Sequence, residues 1–544
     1  MPHHADETPL LPDGDSSNHP PSTRASTRPR PVTAPHFHPA APELEHEDFS
    51  DDEDNPTEST SLLPSPATAS LTSDGPITLP ILKAEIFALF KLSWPVSLGY
   101  IISTSLGLTQ IFAVGHLGTT ELAAVALTTM LCNVTGYSLG IGMANALDSL
   151  CPQAYTGDKD PHALGKHLQR GIVVMAALCV PIAVLWFNAE KLLLLMGQNE
   201  EVAALSGQLA RWAFIGCFPF MVNDCMKRYL QAQGIMKATM VTALIASLIN
   251  MVLQYTLVWS RFSLGVMGAP IATSITYWTL PFLTGCYIKY IDGGAAWGGL
   301  SARDAFSIPH LRQFLALGLP SVIMTCSEWW AFEIVALAAG WLGNNELAAQ
   351  TIALNTCSMT YVLPMGLSIA ASTRIGNALG AVAPRTAKAG AMACVVLSVM
   401  LATVNFTAIF AVRNQWGWVW SSDPEVVKLV ASILPLAAVF QVSDALGAAS
   451  GGILRGCGRP EIGAYINLAG YYIIGLPISF IAAFKFDLDI AGLWLGLTVA
   501  IILVSATTLF IISRLDWKVE AARAGKRIQS SHVGEPAAAV AVEE

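Results

Sequence analysis

Two acids stand where their neighbours leave them little water. Glu328 opens the run Glu328-Trp-Trp-Ala-Phe-Glu333, 16 residues after Arg312 and 15 before Gly343. At a helical rise of 1.5 Å per residue it is about 24 and 23 Å from those two points, near the middle of an apolar stretch. Asp444 lies 16 residues after Lys428 and 11 before Arg455, also well inside one. A carboxylate in hydrocarbon costs several kcal/mol, so an acid that persists there is a functional candidate by default. Desolvation favours the protonated form of a carboxyl, which lets such a group load and release H⁺ near neutral pH. Two acids close together strengthen the effect on one of them. The competing reading is an interhelical hydrogen bond that only holds helices together. Glu333 follows Glu328 by five residues, about 140° around a helix, and belongs to another face. Phe332, four residues on, shares the face of Glu328. Ring faces attract ammonium groups, so Trp329, Trp330 and Phe332 fit a cation-accepting cavity, although Trp in such a segment more often faces lipid or core.

The elements that carry these acids follow from composition. The 544 residues are 53% hydrophobic and only 13% charged, with a mean hydropathy of +0.50. Soluble domains carry about 25% charge, so this apolar surface belongs in lipid. Cytosolic enzymes, nucleic-acid binders and secreted disulfide scaffolds are thereby excluded. The net charge of −9 is uneven along the chain. Residues 1–80 hold 14 acids and 3 basic residues, which leaves the remainder close to neutral. Those 80 residues also hold 15 of the 31 prolines, a composition that does not support a packed core and predicts a disordered acidic tail. No basic-then-apolar stretch opens the sequence, so a cleaved signal peptide is not expected.

From residue 84 onward twelve apolar runs follow one another, long enough to cross a bilayer as helices. They cover about 84–114, 121–148, 164–187, 203–222, 239–259, 266–288, 310–340, 346–373, 386–411, 426–448, 461–484 and 490–513. The even-numbered turns and the C-terminal tail hold 19 Lys and Arg, among them Lys227, Arg228, Arg374 and Arg455, against 5 on the other side. That asymmetry places both termini in the cytosol. Asp148, Asp224, Arg211 and Lys91 lie nearer the span ends and are expected to snorkel or form ion pairs.

The twelve runs are two copies of six. Gly115-His-Leu-Gly-Thr-Thr-Glu-Leu-Ala-Ala124 recurs as Gly340-Trp-Leu-Gly-Asn-Asn-Glu-Leu-Ala-Ala349, an offset of 225, and Pro95 recurs as Pro320. Leu230-Gln-Ala-Gln-Gly234 recurs as Leu454-Arg-Gly-Cys-Gly458 at 224, and Gly140 and Ala144 match Gly366 and Ala370 at 226. Six spans per copy means both copies enter the membrane from the same side, related by an axis along its normal. Two such lobes around a cleft are the architecture of an alternating-access carrier. Thr120 and Asn345, before Glu121 and Glu346, are expected as helix N-caps. Pro95 and Pro320 are expected to bend their helices.

The ten cysteines sit in or beside apolar runs and form no Cys-x-x-Cys, which fits small core hydrophobes rather than metal ligands or disulfides. Phosphate-loop and His-Glu-x-x-His motifs are absent. No enzymatic activity and no cofactor other than a proton gradient is expected.

In Gly115-His-Leu-Gly118 with Glu121-Leu-Ala-Ala, Gly318-Leu-Pro-Ser321, Glu328-Trp-Trp-Ala-Phe-Glu333, Ala371-Ser-Thr-Arg-Ile-Gly-Asn-Ala-Leu-Gly380, Gly451-Gly-Ile-Leu-Arg-Gly-Cys-Gly458 and Gly470-Tyr-Tyr-Ile-Ile-Gly-Leu-Pro477 the chain resembles the multidrug and toxic compound extrusion (MATE) family. Within it, the sequence is similar to the eukaryotic branch, as a fungal member, over residues 84–515. The resemblance implies an all-α polytopic fold of twelve helices in two pseudo-twofold-related lobes. It implies a proton-coupled antiporter that exports organic cations and other amphipathic toxins. It also implies an acidic site in the second lobe made of Glu328 and Asp444, with Glu333 as a second motif acid and Asn355 as a polar neighbour. Many bacterial members carry an aspartate in the first span where this chain has Gln110, so proton work is expected of the second lobe.

The segments expected are thus a cytosolic tail at 1–80, lobes at 81–300 and 301–515, and a cytosolic tail at 516–544. The partners expected are organic cations, H⁺ and the bilayer, with no nucleic acid and a monomeric state. Acidic dileucine patterns at Leu10, Leu11 and at Leu62, Leu63 are candidate adaptor-binding addresses; they favour the vacuolar membrane over the plasma membrane. A lipid-linked flippase would favour a cationic cavity, and a polytopic acyltransferase a His pair at the membrane surface. A sensor of the same fold that does not transport is the remaining alternative.

Overall fold

The computed structural model describes residues 75–260 and 263–530, all within one compact unit. The expected N-terminal tail and its dileucines lie outside the described residues. Twelve long helical rods follow one another, with no strand among the described residues. The first six are α1 (Leu79–Gly115), α2 (Thr119–Gly157), α3 (Ala163–Phe187), α4 (Glu200–Ala232), α5 (Lys237–Trp259) and α6 (Gly268–Tyr290). The second six are α7 (Ile308–Leu342), α8 (Asn344–Gly380), α9 (Pro384–Val412), α10 (Pro424–Cys457), α11 (Pro460–Lys485) and α12 (Asp489–Ser513). A shorter helix, α13 (Trp517–Ser530), ends the described chain.

Ten rods are long and apolar enough to cross a membrane. The other two are α4 and α6, helices of 33 and 23 residues. α4 is the more polar because it buries Asn223, Asp224 and Arg228. The twelve rods match the expected runs closely at most ends, but α2, α4, α8 and α10 overshoot. They continue to Gly157, Ala232, Gly380 and Cys457, where hydropathy alone stops at 148, 222, 373 and 448. Lys227, Arg228, Arg374 and Arg455 are therefore helix residues, not turn residues. At 37 residues, α8 is about 55 Å long against a hydrocarbon core of about 30 Å. Such rods project beyond the bilayer core, where charge is tolerated.

Local sequence explains the starts. Pro follows the N-cap of α1, α7, α9, α10 and α11, where its missing N–H costs nothing. Asn199 and Asp423 cap α4 and α10 by accepting from the N–H of Glu201 and Glu425. The expected caps Thr120 and Asn345 are instead inside their helices, and Gly118 and Gly343 occupy the cap positions. Each of those glycines lies against the carboxylate three residues on, Glu121 or Glu346, where a Cβ would collide. Pro95 and Pro320 lie within continuous α1 and α7. Of the ten cysteines, nine are buried and none is paired.

The halves meet at the end of the molecule where the described chain starts and stops. Thr156 Oγ1 of α2 donates to the Asn377 carbonyl of α8 at 2.7 Å, and Gln153 Nε2 donates to the Gly456 carbonyl of α10 at 2.8 Å. Gly157 and Gly380 let α2 and α8 touch there, since a Cβ on either would meet backbone of the other helix. Arg374 of α8 forks onto Glu85 of α1, Nε to Oε2 at 3.0 Å and Nη2 to Oε1 at 2.7 Å. Toward the opposite end the helices part. Among the described residues, no hydrogen bond links 115–132 to the second half. The stretch expected as a tail folds back as α13, burying Trp517, Ala521 and Ala524 at helical spacing. Its Arg527 reaches both halves, donating to Gln153 Oε1 (3.1 Å) and to the Cys457 carbonyl (2.7 Å).

Candidate functional site

Glu328 of α7 and Asp444 of α10 line one cavity. The cavity has a volume of about 100 Å³ and is partly open to solvent. Trp329 lines it beside Glu328, and Tyr361 of α8 and Tyr471 of α11 add two more rings. Asp444 is 6% exposed and takes a hydrogen bond from Gln441 Nε2 at 3.3 Å. Neither acid has an ion-pair partner among the described residues. The structure thus surrounds two unpaired carboxyls with aromatic surface.

Local departures from α-helix help to shape the wall. α11 takes π-helical form over Ala469–Gly475, which carries Tyr471, and such turns are frequent at functional sites. The Tyr471 side chain is fully buried and its hydroxyl has no hydrogen-bond partner. Asn467 Nδ2 donates to the Met324 carbonyl at 2.9 Å, tying α11 to α7 one turn before Glu328.

Other expected residues fall elsewhere. Glu333 is partly buried and Asn355 is exposed, and neither is among the residues lining this cavity. For Glu333 the cause is its angular offset from Glu328. Phe332 packs edge-on against Phe440 at 5.6 Å in the second-half core, and the Trp330 indole N–H donates to the Val134 carbonyl at 3.1 Å. Of the ring trio, Trp329 alone lines the cavity.

Sequence reasoning missed the cavity's cationic floor. Arg228 and Arg455 line it too. Arg455 Nε donates to Asp148 Oδ2 at 3.1 Å and its Nη2 to Ser368 Oγ at 2.9 Å. On the other side of Asp148, Arg228 Nε lies 3.1 Å from Oδ1. Arg228 also reaches Asp224 (3.3 Å) and Asn145 Oδ1 (2.8 Å), and Lys227 pairs with Asp224 at 2.7 Å. The network joins α2 and α4 of one half to α10 of the other. The ion pairing expected of Asp148 and Asp224 is present, but far from the surface. A usable signal existed for Asp224, which stands three and four residues before Lys227 and Arg228; Asp148 has no Lys or Arg nearer than Lys159, 11 residues on.

A family model described as MatE matches residues 95–256 and again 320–481. The two matches are offset by 225, the spacing of the internal repeat. The chain belongs to the MATE family. It is 36% identical over 452 residues to Protein DETOXIFICATION 16 of Arabidopsis thaliana, covering 82% of this chain and 92% of that one. An uncharacterized transporter of Schizosaccharomyces pombe is 34% identical over 434 residues, 80% of each chain. Among solved structures, the eukaryotic MATE transporter AtDTX14 superposes with a TM-score of 0.78 at 33% identity, over 82% of this chain and all of that one. The Vibrio cholerae MATE transporter VcmN in its bent form shares the fold at 16% identity, with a TM-score of 0.70. This MATE chain is accordingly an integral, multi-pass membrane transporter of the eukaryotic type, with an all-α fold.

Proposed function

We propose that this protein exports organic cations in exchange for protons by alternating access, with Glu328 and Asp444 as the shared site. One observation carries the reading: two carboxyls without ion-pair partners line a single cavity with Trp329, Tyr361 and Tyr471. A proton and an organic cation compete for the same negative charge. Protonation from the acidic side expels the cation, and reopening to the cytosol releases the proton. Glu333 and Asn355 belong to the path rather than to this pocket. Residues 81–300 and 301–515 act as the two lobes. With both termini cytosolic, the bonded end faces the cytosol and the parted end the lumen or exterior. The dileucine pairs at Leu10, Leu11 and at Leu62, Leu63 favour the vacuolar membrane.

The guanidiniums of Arg228 and Arg455 raise the flippase alternative again, since an anionic lipid head needs cations. Both are already committed to Asp148, which argues for the cation reading. The test is uptake of a panel of organic cations into proteoliposomes under an imposed pH gradient. Wild-type uptake is expected to collapse with a protonophore. Glu328→Gln is expected to fold, by size-exclusion profile, and to lose gradient-driven uptake. Retained uptake in that variant overturns the mechanism.

A further inference from the structure

We propose that Asp148 is a positioning residue that keeps the Arg455 guanidinium from closing an ion pair with Glu328 or Asp444, so that a proton or a cargo cation, not an internal counter-ion, neutralises them. The inference rests on the acid pair being the proton site. Arg455 lines the same cavity as both acids, yet its Nε is bonded to Asp148 at 3.1 Å and its Nη2 to Ser368 at 2.9 Å. Side chains on a helix lean toward its N-terminus, so Arg455 leans along α10 toward Asp444. A freed guanidinium there has two carboxyls to approach. An acid pair matched by a resident arginine would have no use for a proton or a cargo cation, and the empty carrier could turn over.

The charges around the pair form a closed set. Lys227, Arg228 and Arg455 are positive, while Asp148 and Asp224 are negative, a net of +1. The remaining titratable groups beside the acids are the Tyr361 and Tyr471 hydroxyls and the Cys357 thiol, whose carbonyl accepts from Gln441. Asp148→Asn takes the set to +2 and leaves Arg455 with its Ser368 bond alone. Arg455→Gln takes it to 0. The double variant returns it to +1. A positive charge nearby favours the ionised carboxylate and a lost one favours the protonated acid.

The test is an infrared titration of the protonated-carboxyl band of the full-length protein in proteoliposomes. The signal of interest is the component that disappears in Glu328→Gln/Asp444→Asn. Asp148→Asn is expected to lower its midpoint by about one pH unit and Arg455→Gln to raise it by about one, the effect of one charge at short range. The double variant is expected to return near the wild-type midpoint, and Arg455→Lys to stay there. If the pair only clamps the halves together, both single variants loosen the protein and the double does not restore the midpoint. Singles that move alike, or no movement in any variant, overturn the proposal. Arg455→Gln with Arg455→Lys carries the same decision should Asp148→Asn fail to fold. A wild-type band with no component lost in Glu328→Gln/Asp444→Asn instead overturns the proton-site reading itself.

Discussion

At matched positions the two halves carry different chemistry. Where the second half has Glu328, the 225-residue offset places Ser103, whose hydroxyl bonds its own helix at the Gly99 carbonyl, 2.8 Å away. Where it has Asp444, the 224-residue offset places Phe220, packed 4.7 Å from Tyr137. The first half has a polar cluster of its own, in which Gln110 accepts from Thr273 Oγ1 at 3.2 Å and Asn250 Nδ2 donates to Thr276 Oγ1 at 3.0 Å. It is uncharged and cannot titrate near neutral pH. At the bonded end the contrast becomes one of sign. The 226-residue offset pairs Asp148 with Arg374, an acid with a base, and the 224-residue offset pairs Gln231 with Arg455. A strictly repeated protein would set like charge near like across its axis. Divergence of sign lets α2 meet α10, and α8 meet α1, through buried ion pairs.

The largest expected effect separates the acid pair from its first-half counterpart. Glu328→Gln should lower pH-driven cation uptake at least about tenfold, the equivalent of about 1.4 kcal/mol, while Ser103→Ala stays near wild type. Equal losses in proteoliposome assays would break the asymmetry. Next comes the inter-half fork. Glu85→Ala or Arg374→Ala strands a buried charge and should cost about 3–5 kcal/mol, whereas replacing both with apolar residues should cost far less. Thermal melting of the purified protein in detergent reads both. The Gly-x-x-Glu turns test what the halves kept in common. Gly118→Ala and Gly343→Ala should each cost about 1 kcal/mol or less, since only the carboxylate tip of Glu121 or Glu346 has to move, and truncating that acid should remove even this cost. The last effect, of opposite sign, is at Gln231, 1% exposed with both amide atoms unbonded. Gln231→Leu should raise stability by up to about 1 kcal/mol, because an unmet buried amide is removed. A clear loss would show that Gln231 has a partner in another conformation.

The repeat made much of this visible before any coordinates. Hydropathy located the rods because hydrocarbon tolerates little else, and depth along α7 singled out Glu328. Hydropathy failed at the overshooting ends of α2, α4, α8 and α10. Asp148, Arg228, Arg374 and Arg455 interrupt the apolar pattern there, and their partners lie on other helices. Angle explains the other miss. Glu333 is near Glu328 in sequence but on a different side of the helix, and Asn355, on α8, is exposed.

Composition, the doubled motif and two acids in apolar surroundings are properties of the chain itself. They determined a membrane-embedded, two-part helical protein with two acids deep in its second part, since burial costs act on each residue wherever its helix goes. Which groups neutralise one another was decided only by packing. Asp148 and Arg455 are 307 residues apart and meet because α2 and α10 converge at one end of the molecule. Tyr361 and Tyr471 face the acids because α8 and α11 bring them there. Electrostatic and ring contacts act over a few ångströms, and sequence order does not report such distances between helices.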